Sequence, residues 1–347
     1  MAIKKWRGLN QYKSEGGFQE RIVARLAQLA YRELSFMASL THPNLMSLEC
    51  AFTPQTDDKY FDDFYVVMEL QDHVLTELIR TDPKQFRLQH KDLSFLIYQL
   101  IVGVHHLHAH GIIHRDLKPQ NIAFNETNAV LKILDYGLSC FESEDGRQTQ
   151  YVVTRPYRAP EVILCLRYDK KVDVWSIGCI MAELILHEIL FDADNAVALY
   201  EEIIATLGSP SEQFFSRIGD PKIREAAKTA KHYEGKSFKK IFPDELFHHS
   251  DRRYPQLSAD NARDLMENLL KIDPNERFSI EQAVRHPYVS IWFRDDEWNH
   301  PQIPIEYKEE DIGRSRSADE WKGLLFEKIK QIENRAFGVF KQPVTLE

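Results

Sequence analysis

The run His114-Arg115-Asp116-Leu117-Lys118-Pro119-Gln120-Asn121 puts a carboxylate, an ammonium group and an amide within eight residues, and after thirteen intervening residues Asp135-Tyr136-Gly137 adds a second carboxylate. Such a set can accept a proton from a hydroxyl, balance negative charge as it develops, and offer hard oxygen ligands to a divalent cation. Ala159-Pro160-Glu161 follows further along the chain. Three motifs in this order carry more weight than any of them alone. Two other groupings read as decoys. His105, His106, His108 and His110 are explained by favourable placement of histidine at a helix C-terminus rather than by a metal. Gly235-Lys236-Ser237 mimics a phosphate-binding loop, but Ala230 stands where its first glycine belongs, so it is expected at the surface.

Positioning these groups requires a strand-and-helix frame. Phe64-Tyr65-Val66-Val67-Met68 is short, apolar and rich in aromatic and β-branched residues, which predicts a buried strand. From Leu93, the apolar residues Leu96, Ile97, Leu100, Ile101, Val104 and Leu107 share one helical face, with Gly111 as the stop. Val130 to Leu134 reads as the strand leading to Asp135, and Lys171 to His187 as a central helix packed all round. Phe141 to Gln150 lacks apolar periodicity and reads as a mobile loop. A polar insert follows Pro210 and is anchored by Phe214, Phe215, Tyr233 and Phe242. Trp321, Leu324, Leu325, Ile329 and Ile332 predict an amphipathic helix that docks elsewhere on the protein.

The 347 residues are 43% hydrophobic, enough for a sizeable core and about two domains. With 53 acidic and 44 basic side chains, the net charge of -9 argues against a general nucleic-acid or anionic-membrane binder. Cys50, Cys140, Cys165 and Cys179 form no C-x-x-C pair and suit reduced, buried thiols. The opening Met1 to Trp6 lacks a signal peptide's apolar core, and Val172 to Phe191 is broken by Asp173, Glu183, His187 and Glu188. A cytoplasmic and nuclear protein without membrane attachment is expected.

The three ordered motifs resemble those of the eukaryotic protein kinases. The resemblance implies an α+β, bilobal kinase fold with a small β-rich N-lobe and a large helical C-lobe. It implies ATP and Mg2+ as cofactors, with Asp116 orienting the substrate hydroxyl and Lys118 balancing charge on the transferring phosphate. Asn121 and Asp135 would hold the metal. Met1-Ala2-Ile3-Lys4 looks like the strand whose lysine pairs the nucleotide phosphates, and Tyr31-Arg32-Glu33-Leu34 like the helix carrying its glutamate partner, so Lys4 and Glu33 are the expected ion pair. Met68 would be the gatekeeper, with Glu69 and Gln71 offering backbone groups to adenine; Val74 stands where a polar ribose contact is expected. Glu161 and Arg277 look like the ion pair that anchors the activation segment, and Asp173 like the carboxylate that holds the catalytic loop.

Thr149-Gln150-Tyr151 followed by Thr154-Arg155-Pro156-Tyr157-Arg158 is similar to a mitogen-activated protein (MAP) kinase activation segment, and the chain is most similar to the c-Jun N-terminal kinases from Ala2 to about Lys328. That family implies a monomer that phosphorylates Ser/Thr-Pro sites of protein substrates. It is activated when an upstream dual-specificity MAP kinase kinase phosphorylates Thr149 and Tyr151. Arg32 and Arg115 would receive the phosphate on Thr149, and Arg155 and Arg158 that on Tyr151. The family's third threonine-phosphate arginine is replaced by Cys140, a loss of roughly 1.5 to 3 kcal/mol that should weaken coupling to lobe closure. Tyr136 replaces the family's phenylalanine and needs a hydroxyl partner. Pro156 replaces an aromatic residue near the pocket for the substrate's proline.

Asp295-Asp296-Glu297 matches the acidic docking site for basic-hydrophobic peptides of activators, scaffolds, substrates and phosphatases. Residues 1–70 are expected to form a partial N-lobe lacking the Gly-rich loop strands. Residues 71–290 would form the C-lobe, with the insert near 210–256, and 291–347 a C-terminal extension. Only three residues precede Lys4, so weak Mg-ATP binding and low turnover are expected. The alternative is a non-catalytic docking or scaffold protein.

Overall fold

A computed structural model describes residues 1–7, 17–85, 87–142, 155–301, 305 and 316–338. Thr149 and Tyr151 lie outside the described residues, as does most of the loop expected over Phe141 to Gln150.

The small lobe is built on the apolar run that predicted a strand. Strand β3 (Phe64–Met68) lies between β1 (Ala2–Trp6) and β2 (Leu48–Phe52), antiparallel to both, with Lys4 opposite Val66 and Ala51 on Val66's other side. Its alternating side chains put Phe64 and Val66 into the core, where Phe64 stacks on Trp6 at 5.5 Å. Helix α1 (Gly17–Ser39) buries Ala27, Ala30, Leu34 and Met37, a stripe at three- and four-residue spacing. The segment after α1 ties this lobe to the next: the Met46 N-H donates to the Ile133 carbonyl at 2.9 Å, and the Ile133 N-H to the Asn44 carbonyl at 2.9 Å.

The helical lobe follows. Strand β4 (His73–Val74) leads into α2 (Leu75–Arg80) and α3 (His90–Ala109). Gly111, at φ 70°, turns the chain out of α3 as its sequence position predicted. Strand β5 (Ile112–Ile113) pairs antiparallel with β8 (Cys140–Phe141), while β6 (Ile122–Asn125) joins β4 to β7 (Val130–Ile133). Helix α4 (Pro160–Ile163) precedes the central α5 (Lys171–Leu186), buried on every side from Val172 to Ile185. Around it lie α6 (Ala196–Leu207), α7 (Glu212–Ser216), α8 (Pro221–Thr229), α9 (Phe238–Ile241) and α10 (Ala259–Leu269). A Cβ on Gly178 of α5 would come within 2.8 Å of Leu270, so glycine there lets α5 approach the end of α10 closely. Phe214, Phe215 and Phe242 of the insert are buried as expected; Tyr233 is half-buried.

Helices α11 (Ile280–Val284), α12 (Pro287–Ser290) and α13 (Asp295–Trp298) complete this lobe. The final helix, α14 (Ala318–Gly338), returns to the small lobe: it packs on α1 and β2, burying Trp321, Leu325, Ile329 and Ile332. Tyr31 meets Trp321 at 5.9 Å, and Phe61 meets Phe326 at 5.5 Å. No helix among the described residues is long and apolar enough to cross a membrane.

Two sequence expectations need correction. Cys165 is exposed, not buried, and takes φ 55° in the turn after α4. His105 and His106, at the end of α3, do not serve its terminus as charged groups. His105 and His106 are packed against other rings, and burial pushes their pKa values down to about 4 and about 3.

Candidate active site

The catalytic loop is held from below by one buried carboxylate. Asp173, at the start of α5, accepts from the His114 N-H at 2.8 Å, the Arg115 N-H at 2.9 Å and His108 Nε2 at 2.9 Å. Burial pushes this carboxyl up, but the His108 hydrogen bond, the fields of the His108 and His114 rings and the Arg115 amide outweigh it and hold the carboxyl below its ordinary value. Fixing two consecutive backbone amides allows Arg115 to sit at φ 67°, a conformation an L-residue rarely adopts unaided. His114 extends the frame, donating from Nε2 to the Leu134 carbonyl at 3.1 Å while its Nδ1 accepts from the Asp116 N-H at 3.3 Å.

Above this frame the residues singled out in the sequence converge. Lys118 Nζ donates to Asp116 Oδ2 at 2.6 Å, and Asn121 Nδ2 donates to the same oxygen and to the Asp116 carbonyl, each at 2.9 Å. The Asn121 amide nitrogen is thus engaged, which leaves its oxygen as the group with metal-ligand chemistry. Asp135 is exposed at φ 63°, and its Oδ1 accepts from the Gly137 N-H at 3.1 Å. A Cβ at Gly137 would come within 3.2 Å of that oxygen, so the glycine keeps this carboxylate turn open. A carboxylate and an amide oxygen are the hard donors a divalent cation with phosphate ligands takes, so the donor set fits.

Across the site, Lys4 Nζ donates to Glu33 Oε1 at 2.8 Å, so the pair expected from the sequence forms between β1 and α1. Burial raises the Glu33 carboxyl above its ordinary value; Lys4 opposes the shift and the Asp135 charge adds to it. The Glu33 carboxylate thus has Lys4 as its partner and Asp135 as a like charge bearing on it.

At the end of β3, Met68 is half-buried, and the Glu69 carboxylate meets Lys132 Nζ at 3.2 Å. The Gln71 amide is buried with no hydrogen-bond partner among the described residues. Val74, at the expected ribose position, is half-buried in β4 opposite Ala123. The Tyr136 hydroxyl finds the partners it required, donating towards the carbonyls of Ile133 at 3.1 Å and Met46 at 3.3 Å.

Arg32 Nη1 donates to the Gly137 carbonyl at 3.3 Å, and Arg115 Nε to the Leu138 carbonyl at 2.7 Å. The two arginines expected at one phosphate thus border the same stretch of chain. Arg155 donates to the Asp194 carbonyl, and Arg158 is half-buried ahead of α4. The anchor expected at Glu161 is present: Arg277 Nη1 and Nη2 reach its two oxygens at 2.6 and 2.9 Å. At the far end, Asp295, Asp296 and Glu297 form α13, but Arg294 pairs with Asp296 at 2.8 Å and with Glu297 at 3.6 Å, and the Tyr98 hydroxyl donates to Glu297 at 2.7 Å.

Sequence reasoning missed His108, which shares Asp173 with the catalytic loop, and Tyr168, whose hydroxyl accepts from Arg115 at 3.3 Å. Neither carries a local signal, since each contact joins distant parts of the chain.

The sequence model of the family "Protein kinase domain" matches residues 2–289. The chain is 42% identical to GLH-binding kinase 1 of Caenorhabditis elegans over 318 residues, covering 91% of this chain and 80% of that protein. It is 40% identical to the stress-activated protein kinase JNK of Drosophila melanogaster over 307 residues, covering 88% of this chain and 80% of that protein. With these likenesses and this site, the chain belongs to the protein kinase family, as a serine/threonine kinase of the JNK-like MAP kinase type that uses ATP and a divalent metal.

Proposed function

We propose that this protein is a stress-activated, proline-directed kinase that transfers the γ-phosphate of ATP, with Mg2+, to Ser/Thr-Pro sites. Dual phosphorylation of Thr149 and Tyr151 by an upstream dual-specificity MAP kinase kinase would switch it on. The observation that carries the catalytic part is the double arrangement of Lys4 on Glu33 at 2.8 Å and of Lys118 and Asn121 on Asp116 at 2.6 and 2.9 Å. These intact groups favour transfer over a docking-only role. Bound Mg-ATP supplies the phosphoryl group and a cation that offsets its charge. Asp116 holds the incoming hydroxyl and draws off its proton, and Lys118 steadies the negative charge that develops beside it. A cation at Asp135 and Asn121 would also quench the Asp135 charge that bears on Glu33.

The docking assignment for Asp295, Asp296 and Glu297 belongs to the same proposal. A basic peptide has to displace Arg294 from Asp296 and Glu297, whereas Asp295 has no ion pair among the described residues. Action as a monomer in cytoplasm and nucleus, on protein substrates recruited through such peptides, completes the reading. The test presents the activated protein with peptides that differ only in Ser-Pro or Ser-Ala. Preference for Ser-Pro of roughly tenfold or more, about 1.4 kcal/mol of discrimination, is expected; equal rates would remove the proline-directed assignment.

A further inference from the structure

The residues that join the lobes, Glu69 to Asp72 between β3 and β4, are fastened at both ends to the β6–β7 hairpin. At the first end, the Glu69 carboxylate meets Lys132 Nζ of β7 at 3.2 Å. At the second, Asp72 Oδ2 accepts from the Glu126 N-H, in the turn after β6, at 3.0 Å. Glu69, Leu70 and Asp72 are exposed, so burial does little to hold this link and the two polar contacts matter more. Lys132 is the unusual member: its side chain is only 11% exposed, and its Nζ also donates to the Pro43 carbonyl at 3.1 Å. An ion pair between two mobile surface chains contributes little, whereas a carboxylate that meets a buried, already tethered ammonium group has only its own freedom to lose. The same hairpin carries the candidate metal ligands, since Asn121 immediately precedes β6 and Asp135 follows the end of β7 by two residues.

We propose that Lys132 is a positioning residue for the nucleotide base: by holding the Glu69 carboxylate it fixes the Glu69 backbone carbonyl in the direction from which the exocyclic amine of adenine donates. The inference rests on the reading that the backbone from Glu69 to Gln71 receives adenine. A lysine on the strand that leads to Asp135 then keeps base and metal in one register, and this preorganisation lowers the cost of ordering the link when nucleotide binds.

A role in aiming one carbonyl differs from a role in holding the fold, because only the first depends on the group that the carbonyl receives. Calorimetry on the full chain compares ATP with purine riboside triphosphate, which lacks the 6-amino group, each with Mg2+. The proteins are wild type, Lys132→Met, Lys132→Arg, Glu69→Ala and the remote surface variant Arg253→Gln, with melting recorded on each. Wild type should bind ATP about tenfold more tightly than the analogue. In Lys132→Met and in Glu69→Ala that ratio should fall to about twofold, through weaker binding of ATP. Lys132→Arg should restore most of it, and Arg253→Gln should keep it whole. A tenfold ratio that survives in Lys132→Met, or equal weakening of both nucleotides there, overturns the role of Lys132 and leaves the adenine reading standing. Should Lys132→Met fail to fold, the ratio in Glu69→Ala, which leaves Lys132 on Pro43, decides in the same way. Equal binding of the two nucleotides by wild type overturns the adenine reading and the inference with it.

Discussion

The two carboxylate-cation pairs that frame the site are built to different standards. In the helical lobe, Arg277 reaches both oxygens of Glu161, with side chains 0% and 1% exposed, and also donates to the carbonyls of Lys171 and Lys271 at 2.9 Å. Its guanidinium lies 5.1 Å from the Trp175 ring. In the small lobe, Lys4 makes one contact to Glu33, and its side chain is 43% exposed. The first pair is dry and fully hydrogen-bonded, so removing either partner leaves a buried charge without compensation. The second opens to water on one side, and its carboxyl is already pushed towards neutrality by burial. The helical lobe thus gives the loop around Asp116 a fixed platform, while the pair proposed to address the nucleotide can be made or broken at small cost to the fold.

Arg277→Ala should give the largest effect on stability, about 3 to 5 kcal/mol and a melting temperature lower by roughly 10 °C, read by calorimetry. A loss below about 1 kcal/mol would remove the contrast between the pairs. A second seam predicts acid lability. His42 before β2 packs against His106 of α3 and His300, and burial lowers the pKa values of His42 and His105 to about 4 and of His106 to about 3. The unfolded chain takes up protons on these rings near pH 6.5, which the folded chain refuses, so stability is complete above that pH and falls towards pH 4. Unfolding free energies from urea melts should decline by a few kcal/mol across that window, less steeply in His106→Asn; identical slopes in both proteins would reject the account.

Cys165 sits beside the anchored segment, and the Leu166 N-H next to it donates to the Glu161 carbonyl at 2.8 Å. Because Cys165 is held at φ 55°, Cys165→Gly should stabilise the protein by about 1 kcal/mol. Destabilisation instead would show that the thiol's contacts outweigh the backbone strain. The smallest change in stability is expected for Glu33→Gln. The amide keeps the shape without the cost of burying charge, so melting should shift by no more than about 2 °C while phosphoryl transfer falls sharply. Unimpaired transfer would break the assignment of the Lys4-Glu33 pair.

What could be read in the sequence was whatever lies inside one ordered motif or one periodic face. Asp116, Lys118 and Asn121 meet within a single loop, and the α3, α5 and α14 faces follow from residue spacing alone. Glu161 and Arg277 could be paired only through family resemblance, since 115 residues separate them in the sequence. Cys165 was misread because burial depends on tertiary packing, and a lone cysteine carries no record of its φ. The helix-terminus reading failed for His106 because His42 and His300, which crowd it, come from other parts of the chain.

The most direct measurement compares phosphate transfer from ATP to a Ser-Pro peptide by the activated full chain and by its Asp116→Asn variant, with melting recorded on both. Loss of roughly 10² to 10⁴-fold in rate with melting unchanged is the predicted result. Equal rates in the two proteins would contradict the assignment of Asp116, and with it the site described above.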